Sequence, residues 1–444
     1  MESIWSNTVS IEQREPLSGD KQTEVAIIGA GMSGILTAYR LAKKGVRCVV
    51  LEAGRMGSGQ TSNTTAKITS QHGLKYDYLI QNFGLDLARQ YAHANETAVR
   101  DFAHLIKDQK ISCDFRNCPS YLYSCSRDDV LKREALAAQQ AGIPAEFTAN
   151  TSLPFSVKGA VRFPDQAQFH PLKFLKAVSS SLEIYEKTRA LSADGKTVRT
   201  DRGTVTADYV IFACHYPFLN IPGYYFSRMH QDKSYVISLS GADQMDGMYY
   251  GIEPGSLSFR NYEDQLLIGG AGHRTGNNYE GGRYEALREQ ARHYWKDSTE
   301  TSCWSAQDCM TLDKLPYIGP YSLKRPNWYV ATGFEKWGMT SSMVSARLLT
   351  DFITGQKNPD SEVFAPKRRI TGTAVQQFFK NGLHAASGLG KGLLSTSEKR
   401  VCTHMGCRLE WNPDEEMLEC PCHGSRFTRE GSLVNGPAQR DLTL

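Results

Sequence analysis

Near the C-terminal end, CTHMGC at 402–407 and CPCHGS at 420–425 bring four cysteines and two histidines into 22 residues. Read as ligands, Cys402-x-His404 and Cys420-x-x-His423 are two Cys/His pairs fifteen residues apart. Thiolates and neutral imidazoles both bind transition metals. With two thiolates on one iron and two imidazoles on the other, the set holds a [2Fe–2S] cluster, and the imidazoles raise its reduction potential. A Cys2His2 set also holds structural zinc, but a zinc finger groups its ligands as C-x2–4-C and H-x3–5-H. Here each pair mixes the two types, and glycines (Gly406, Gly424) lie just beyond, where the backbone turns tightly. An iron–sulfur cluster is the expected group. It makes this segment an electron carrier that needs a partner elsewhere in the chain.

That partner is expected near the N-terminus. The run Glu24 to Ile28 reads as a buried strand and leads straight into Gly29-Ala-Gly31-Met-Ser-Gly34. An amphipathic helical stretch, 35–44, follows; Gly45 ends it, and 46–51 reads as the next strand, closing on Glu52. This is a dinucleotide fingerprint in its full strand–loop–helix–strand–acid context. Gly29 permits the tight turn, Gly31 lets a pyrophosphate approach the backbone, and Gly34 brings helix and strand together. Ser33 lies in the same loop. The helix N-terminus faces the phosphates, and Glu52 accepts hydrogen bonds from a ribose diol while repelling a 2′-phosphate, which disfavours NADP.

Stepping outward, 444 residues suffice for two or three domains. A 40% hydrophobic and 22% charged composition is that of an ordinary globular protein. A net charge of +4, with no Lys/Arg run, gives no nucleic-acid footprint. The polar N-terminus lacks a signal-peptide pattern, and no run approaches eighteen apolar residues, so no membrane anchor is expected. Cysteines outside the cluster segment are scattered, as expected of reduced thiols in a cytoplasmic protein.

Between the two motifs, Tyr76 to about Gln140 reads as largely helical, and Leu172 to Leu182 as a further helix. Short strands are expected at 184–189, 197–200 and 209–213, the last followed by His215. Residues 233–275 alternate as antiparallel strands with a hairpin turn at Asn261 to Asp264. A late strand, 328–331, leads through Thr332-Gly333-Phe-Glu-Lys-Trp337-Gly338-Met339-Thr340 into a helix whose N-terminus is a second dipole site, suited to an electron-rich ring. A short helix and a Gly/Ser-rich linker are expected at 367–395.

The C-terminal motif resembles the Rieske signature of the disulfide-containing type. That resemblance implies Cys402, His404, Cys420 and His423 as ligands and a Cys407–Cys422 bridge. Residues 22–366 resemble FAD-dependent oxidoreductases of the D-amino-acid and glycine oxidase type. The implied fold is α/β: a Rossmann-like FAD domain (22–75, 160–217, 311–366), an antiparallel-sheet substrate domain (76–159, 218–310) and a small all-β Rieske domain at 396–444, after a lead-in at 1–21. The implied cofactors are FAD and a [2Fe–2S] cluster. FAD contacts are expected at Gly29, Gly31, Ser33, Gly34, Glu52, Ser58, Thr64, Thr65, Lys67, Gly333, Trp337, Gly338, Met339 and Thr340. Tyr250, Arg260, His273 and Lys67 are the catalytic candidates.

Such a fusion implies a two-electron oxidation of a small amine or amino acid at the flavin, drained one electron at a time by the cluster to an unidentified acceptor. The alternatives are a reductase or oxidase of a non-amine substrate, or an electron-transfer or redox-sensing protein. Two departures stand out. Little but linker-like sequence lies between the flavoprotein part and Cys402, where a Rieske domain usually has several strands, which implies a trimmed domain that leans on the flavoprotein. Phe427 stands where quinol-complex Rieske proteins often carry a tyrosine that donates to a ligand sulfur, which implies a lower potential.

Overall fold

The computed structural model describes residues 2–369, 371–394 and 400–443, with side chains outside 384–394. The apolar run Val25 to Ile28 ends the strand Lys21–Ile28, which lies inside an eight-stranded sheet and pairs in parallel with Cys48–Leu51 and Thr204–Phe212. Thr204–Phe212 in turn runs parallel to Arg325–Thr332, with Tyr317–Ser322 antiparallel beyond it. Strands covered on both faces need continuous apolar side chains, and Val25, Ala26 and Ile27 are fully buried. The helix Met32–Lys43 packs on this sheet and against the late helix Gly338–Ile353, which also meets the long helix Leu85–Asp108.

A nine-stranded sheet forms the second layer, in the order Thr299–Thr311, Met229–Ser240, Gln265–Arg274, Ser258–Tyr262, Met248–Gly251, Arg116–Ser124, Gly159–Gln168, Lys67–Ile68, with Glu146–Thr148 also paired to Gly159–Gln168. It is antiparallel except that Met248–Gly251 runs parallel to Arg116–Ser124. Arg116–Ser124 interrupts the region expected to be helical, 76–140; its tyrosine-rich run pairs with distant strands, and tertiary pairing decides its conformation. Gly159–Gln168 and Lys67–Ile68, grouped in the sequence with the nucleotide-binding segments, belong to this second sheet.

The lead-in is also less passive than its polarity suggests. Its helix Ile4–Thr8 buries Trp5, whose indole N–H donates to Thr64 O at 2.6 Å. At the other end, the short helix and linker expected at 367–395 are replaced by one helix, Gly372–Leu394. The expected boundary at 396 lies outside the described residues. The C-terminal sheet runs Glu410–Asn412, Met417–Glu419, Arg426–Phe427, Leu433–Asn435, all antiparallel. No helix among the described residues is long and apolar enough to cross a membrane.

Candidate redox site

A cavity of about 1310 Å3 opens at the carboxyl ends of the parallel strands, where Leu51, Ala213 and Ala331 line it, and extends along the second sheet. Its lining also includes Asn435, Gly436 and Pro437 of the C-terminal domain.

The dinucleotide loop is built by close approach. A Cβ on Gly34 would lie 1.9 Å from Gly29 O, and one on Gly29 would lie 2.5 Å from Ala213 O, with φ +110°. Neither position tolerates a side chain. A Cβ on Gly31 meets only Thr61 Oγ1 at 3.4 Å, and that hydroxyl accepts from Met32 N at 3.0 Å, while the N-cap glycine itself has no side chain to cap the helix it begins. The N–H groups that follow Met32 in the first turn are left for an anion. Glu52 accepts from Ala30 N (2.9 Å) and Gly54 N (2.8 Å), which aims its carboxylate beside the loop. Burial pushes its carboxyl up, against those two N–H donors. An open helix start, a glycine cradle and a neighbouring acid suit the phosphates and ribose of FAD.

The other expected contacts divide. Ser33, Ser58, Thr64, Thr65 and Lys67 line the cavity, as do Gly333, Trp337, Gly338 and Met339. Gly34 and Thr340 do not line it: Gly34 packs on Gly29, and the Thr340 hydroxyl donates to Thr69 O (2.8 Å) and accepts from Thr69 N (3.1 Å). Of the catalytic candidates, Lys67, Tyr250 and His273 line the cavity. Lys67 Nζ donates to Tyr249 O at 3.0 Å, and burial, helped by Arg260, brings its pKa down to about 7. Tyr250 meets Trp337 edge-on, and His273 Nε2 lies 3.0 Å from the Tyr235 hydroxyl.

Arg260, the remaining catalytic candidate, lies outside the cavity lining. Its guanidinium donates to Thr65 O (2.6 Å), Ala66 O (2.9 Å), Phe169 O (3.2 Å) and Asn261 O (3.1 Å). Ala66 sits at φ 53°, a conformation costly for a residue with a Cβ. Arg260, with the indoles of Trp5 and Trp304 (to Asn63 O, 3.0 Å), holds that loop in place.

Beyond Glu52 and Lys67, the sequence reading missed the charged groups of the cavity. Asp232, Asp308 and Lys336 line it together with His72 and Lys75. Burial pushes the Asp308 carboxyl up to about 6, against the pull of Lys336. Burial would strip the Lys336 ammonium of its proton, but Tyr250, Asp308 and Asp232 together hold it above the usual lysine range. Lys336 Nζ donates to Ser234 Oγ at 3.0 Å. Both Glu335 (φ 54°) and Lys336 (φ 72°) are left-handed, a strained loop just before the helix Gly338–Ile353. His72 stacks on Trp337 at 4.9 Å and is kept neutral by burial. No local signal marks Asp232 or Asp308: each stands at a half-buried alternate position of its strand, where a polar side chain is ordinary.

At the cluster end, Cys402, Cys420 and His423 are buried, and Cys407 and Cys422 form a disulfide. The thiols of Cys402 and Cys420 neighbour each other, and that contact brings the Cys402 pKa down to about 7. The imidazoles of His404 and His423 meet edge-on, with ring centroids 5.0 Å apart. Burial lowers the two histidines to about 4 and about 3, leaving neutral imidazoles. His404 Nδ1 is buried with no protein partner, while Nε2–H donates to Asn220 Oδ1 at 2.8 Å. A metal-binding histidine presents one nitrogen inward and anchors the other in this way. Two adjoining thiols and two neutral imidazoles fit a [2Fe–2S] cluster. Ser425 Oγ accepts from Ala438 N (3.0 Å) and its hydroxyl donates towards the Cys402 sulfur, while Phe427 is fully buried with no donor to offer.

The trimmed domain leans on the second sheet, as its shortness suggests. Lys233 Nζ, fully buried on strand Met229–Ser240, pairs with Glu415 (3.0 Å) and Glu419 (2.9 Å). Arg426 reaches Glu415 at 2.6 Å, and Ser305 and Tyr284 donate to the same carboxylate. Burial opposes the charge on Glu415, but Lys233 and Arg426 hold its carboxyl down at about 2. Pro421 packs on Gly276, where a Cβ would come within 2.7 Å of its ring.

Comparison with known proteins agrees with both ends. Residues 24–352 match the family model of FAD-dependent oxidoreductases, and 396–443 match that of the Rieske [2Fe–2S] domain. Over 99% of its length the chain is 34% identical to YhfW of Bacillus subtilis (strain 168), a protein named for a Rieske 2Fe-2S iron–sulfur centre, and covers 97% of it. The cluster region alone, 43 residues, is 54% identical to cytochrome b6-f complex iron-sulfur subunit 2 of Trichormus variabilis; the match spans 10% of this chain and 24% of that one. Among solved structures, L-proline dehydrogenase from P. horikoshii superposes with TM-score 0.66 at 18% identity, over 78% of this chain and 97% of that one. Glycine oxidase from Geobacillus kaustophilus does so with TM-score 0.65 at 20% identity, over 79% and 100%. At these identities the likeness is one of fold.

Proposed function

The chain belongs to the FAD-dependent oxidoreductase family and ends in a Rieske [2Fe–2S] domain, and from this we propose that it oxidises the C–N bond of a small amine or amino acid and delivers the electrons singly through the cluster. The reading rests above all on one observation: a single cavity is lined both by the dinucleotide loop and by residues 435–437 of the C-terminal domain. When bound, FAD supplies the two-electron acceptor and the cluster the one-electron one; the chain's task is to bind, orient and tune them.

Asp308 and Lys336 are suited to a zwitterionic substrate. Lys336 pairs with its carboxylate, while Asp308, poised near 6, holds the ammonium and takes its proton, leaving the neutral amine that C–H oxidation requires. Trp337, stacked on His72 and edged by Tyr250, walls that region with apolar surface. Lys67, near 7, is a second proton-holding group on the same lining. A charged, open cavity favours an enzyme over a redox sensor without a substrate.

The test is an anaerobic titration of the holoprotein with a panel of amines, amino acids and alcohols, following flavin and cluster absorbance together. A supporting result is flavin bleaching by an amino acid, followed by cluster reduction. Bleaching only by alcohols, or by nothing in the panel, would sink the substrate assignment.

A further inference from the structure

Between the cavity and the cluster loops lies a set of buried amides that neither binding site needs. His215 lines the cavity and sits at φ 67° immediately after the central strand Thr204–Phe212 and Ala213-Cys214. Its Nε2 donates to Gln231 Oε1 at 3.2 Å. Gln231 Nε2 donates to the main-chain carbonyl of His423, a cluster ligand, at 2.6 Å. Gln307 Nε2 donates both to Gln231 Oε1 (2.8 Å) and to Gly424 O (2.6 Å), the residue after that ligand. On the cavity side, Gln307 N donates to Gln60 Oε1 at 2.7 Å, and Gln60 lines the cavity. The His215 carbonyl accepts from the Thr332 hydroxyl, on the strand end beside Gly333.

Both glutamines are almost fully buried, 2% and 1% exposed, although this side chain is normally on the surface. Gly424 is shaped around them: at φ +82°, a Cβ there would lie 2.7 Å from Gln307 Nε2 and 2.8 Å from Gln231. The domain is already docked by the buried Lys233, Glu415, Glu419 and Arg426 charges, so docking alone does not call for a second buried polar set.

We propose that His215, Gln231 and Gln307 form the bridge along which an electron crosses from the flavin cavity to the cluster loop at His423. Tunnelling weakens more slowly through covalent and hydrogen-bonded links than across open van der Waals gaps, so a continuous bonded route of this kind dominates the coupling. The step moves one electron and breaks no bond: the reduced flavin is oxidised by one electron, and one ferric ion of the cluster is reduced. The residues position the two centres and couple them; they touch no substrate.

The inference rests on the electron exchange proposed above, and its test needs no substrate. In the holoprotein, a 5-deazaflavin flash reduces FAD, and cluster reduction is followed by absorbance and by electron paramagnetic resonance. In the wild type, flavin oxidation and cluster reduction are expected to coincide. In Gln231→Met/Gln307→Met, a volume-matched change, the transfer rate is expected to fall by about tenfold or more, with both midpoint potentials unchanged. A rate equal to wild type overturns the bridge. So does a fall fully explained by a shifted potential, because the amides then act only as tuning dipoles. If the double variant loses its cluster, Gln307→Met alone, which keeps the Gln231–His423 bond, is expected to slow transfer partially. No slowing there overturns the bridge as well. Absence of transfer in the wild type removes the electron exchange itself, whatever the amides do.

Discussion

The two ends of the cavity are held by different forces. At the dinucleotide end the wall is main chain: Gly29 and Gly34 approach within contact distance of neighbouring backbone, and the helix Met32–Lys43 starts at Gly31, which has no side chain to cap it. At the cluster end the wall depends on charges with almost no exposure: Lys233, Glu415, Glu419 and Arg426 bind a small sheet to the flavoprotein. Backbone geometry is set by local sequence and forgives substitution around it. A buried ion network is costly to desolvate and fails when one member is lost. The dinucleotide site should therefore degrade gradually, and the cluster end abruptly.

The sharpest way to separate the ends is to remove the cluster. Cys402→Ser or His423→Ala is expected to abolish cluster absorbance entirely while FAD remains bound, read from visible spectra and cofactor content. Loss of FAD as well would show that the two ends are not independent.

Next in size is Lys233→Met, which leaves Glu415 and Glu419 facing Arg426 alone. Removing one partner from such a buried set is expected to cost about 3–5 kcal/mol, seen as early unfolding and protease cleavage of the C-terminal domain. Acid should act at the same place. Glu415 is held at about 2, below the unfolded value near ~4.3, so its stabilisation is complete above that value and disappears as pH falls through about 2. Thermal melts of the wild type at falling pH should show the C-terminal transition moving first.

A smaller effect is expected from Asp308→Asn. Burial raises Asp308 to about 6, so it is a base only above that pH, and amine turnover should climb through pH 6 in the wild type and lose that limb in the variant. The linkage has the opposite sign from Glu415: folded Asp308 holds its proton more tightly than the unfolded chain. Its contribution to stability is therefore full below ~4 and declines as pH rises through about 6. Asp308→Asn should flatten that part of the melting profile.

Smallest is Phe427→Tyr, which adds a donor beside the cluster and is expected to raise its midpoint potential without altering cluster content. An unchanged potential would mean that the new hydroxyl does not reach a sulfur.

Much of this molecule was legible because its chemistry is encoded locally. The glycine loop with Glu52, the two Cys/His pairs and the strand leading to Trp337 and Gly338 each lie within a short run. The periodicity that identified the first sheet is local as well. The run 116–124 was misjudged as part of a helical region because its pairing with Gly159–Gln168 is invisible in its own residues. Arg260 was legible as an arginine on a strand, but not as the group that holds Ala66 in a left-handed turn.

By itself, then, the sequence determined the two cofactor classes, the order of the domains and most of the loop that meets the dinucleotide. These depend on residue type and short spacing, which hydrogen bonding and sterics translate directly into local geometry. Only the tertiary structure decided which charges share the cavity, that Asp308 and Lys336 lie on one lining, and that Gln231 and Gln307 join it to the cluster loop. Those residues are brought together by strand pairing over long separations, as when Met229–Ser240 aligns with Thr299–Thr311 and places Lys233 opposite Gln307. Register of that kind is set by the burial of the whole sheet, and no single segment carries it.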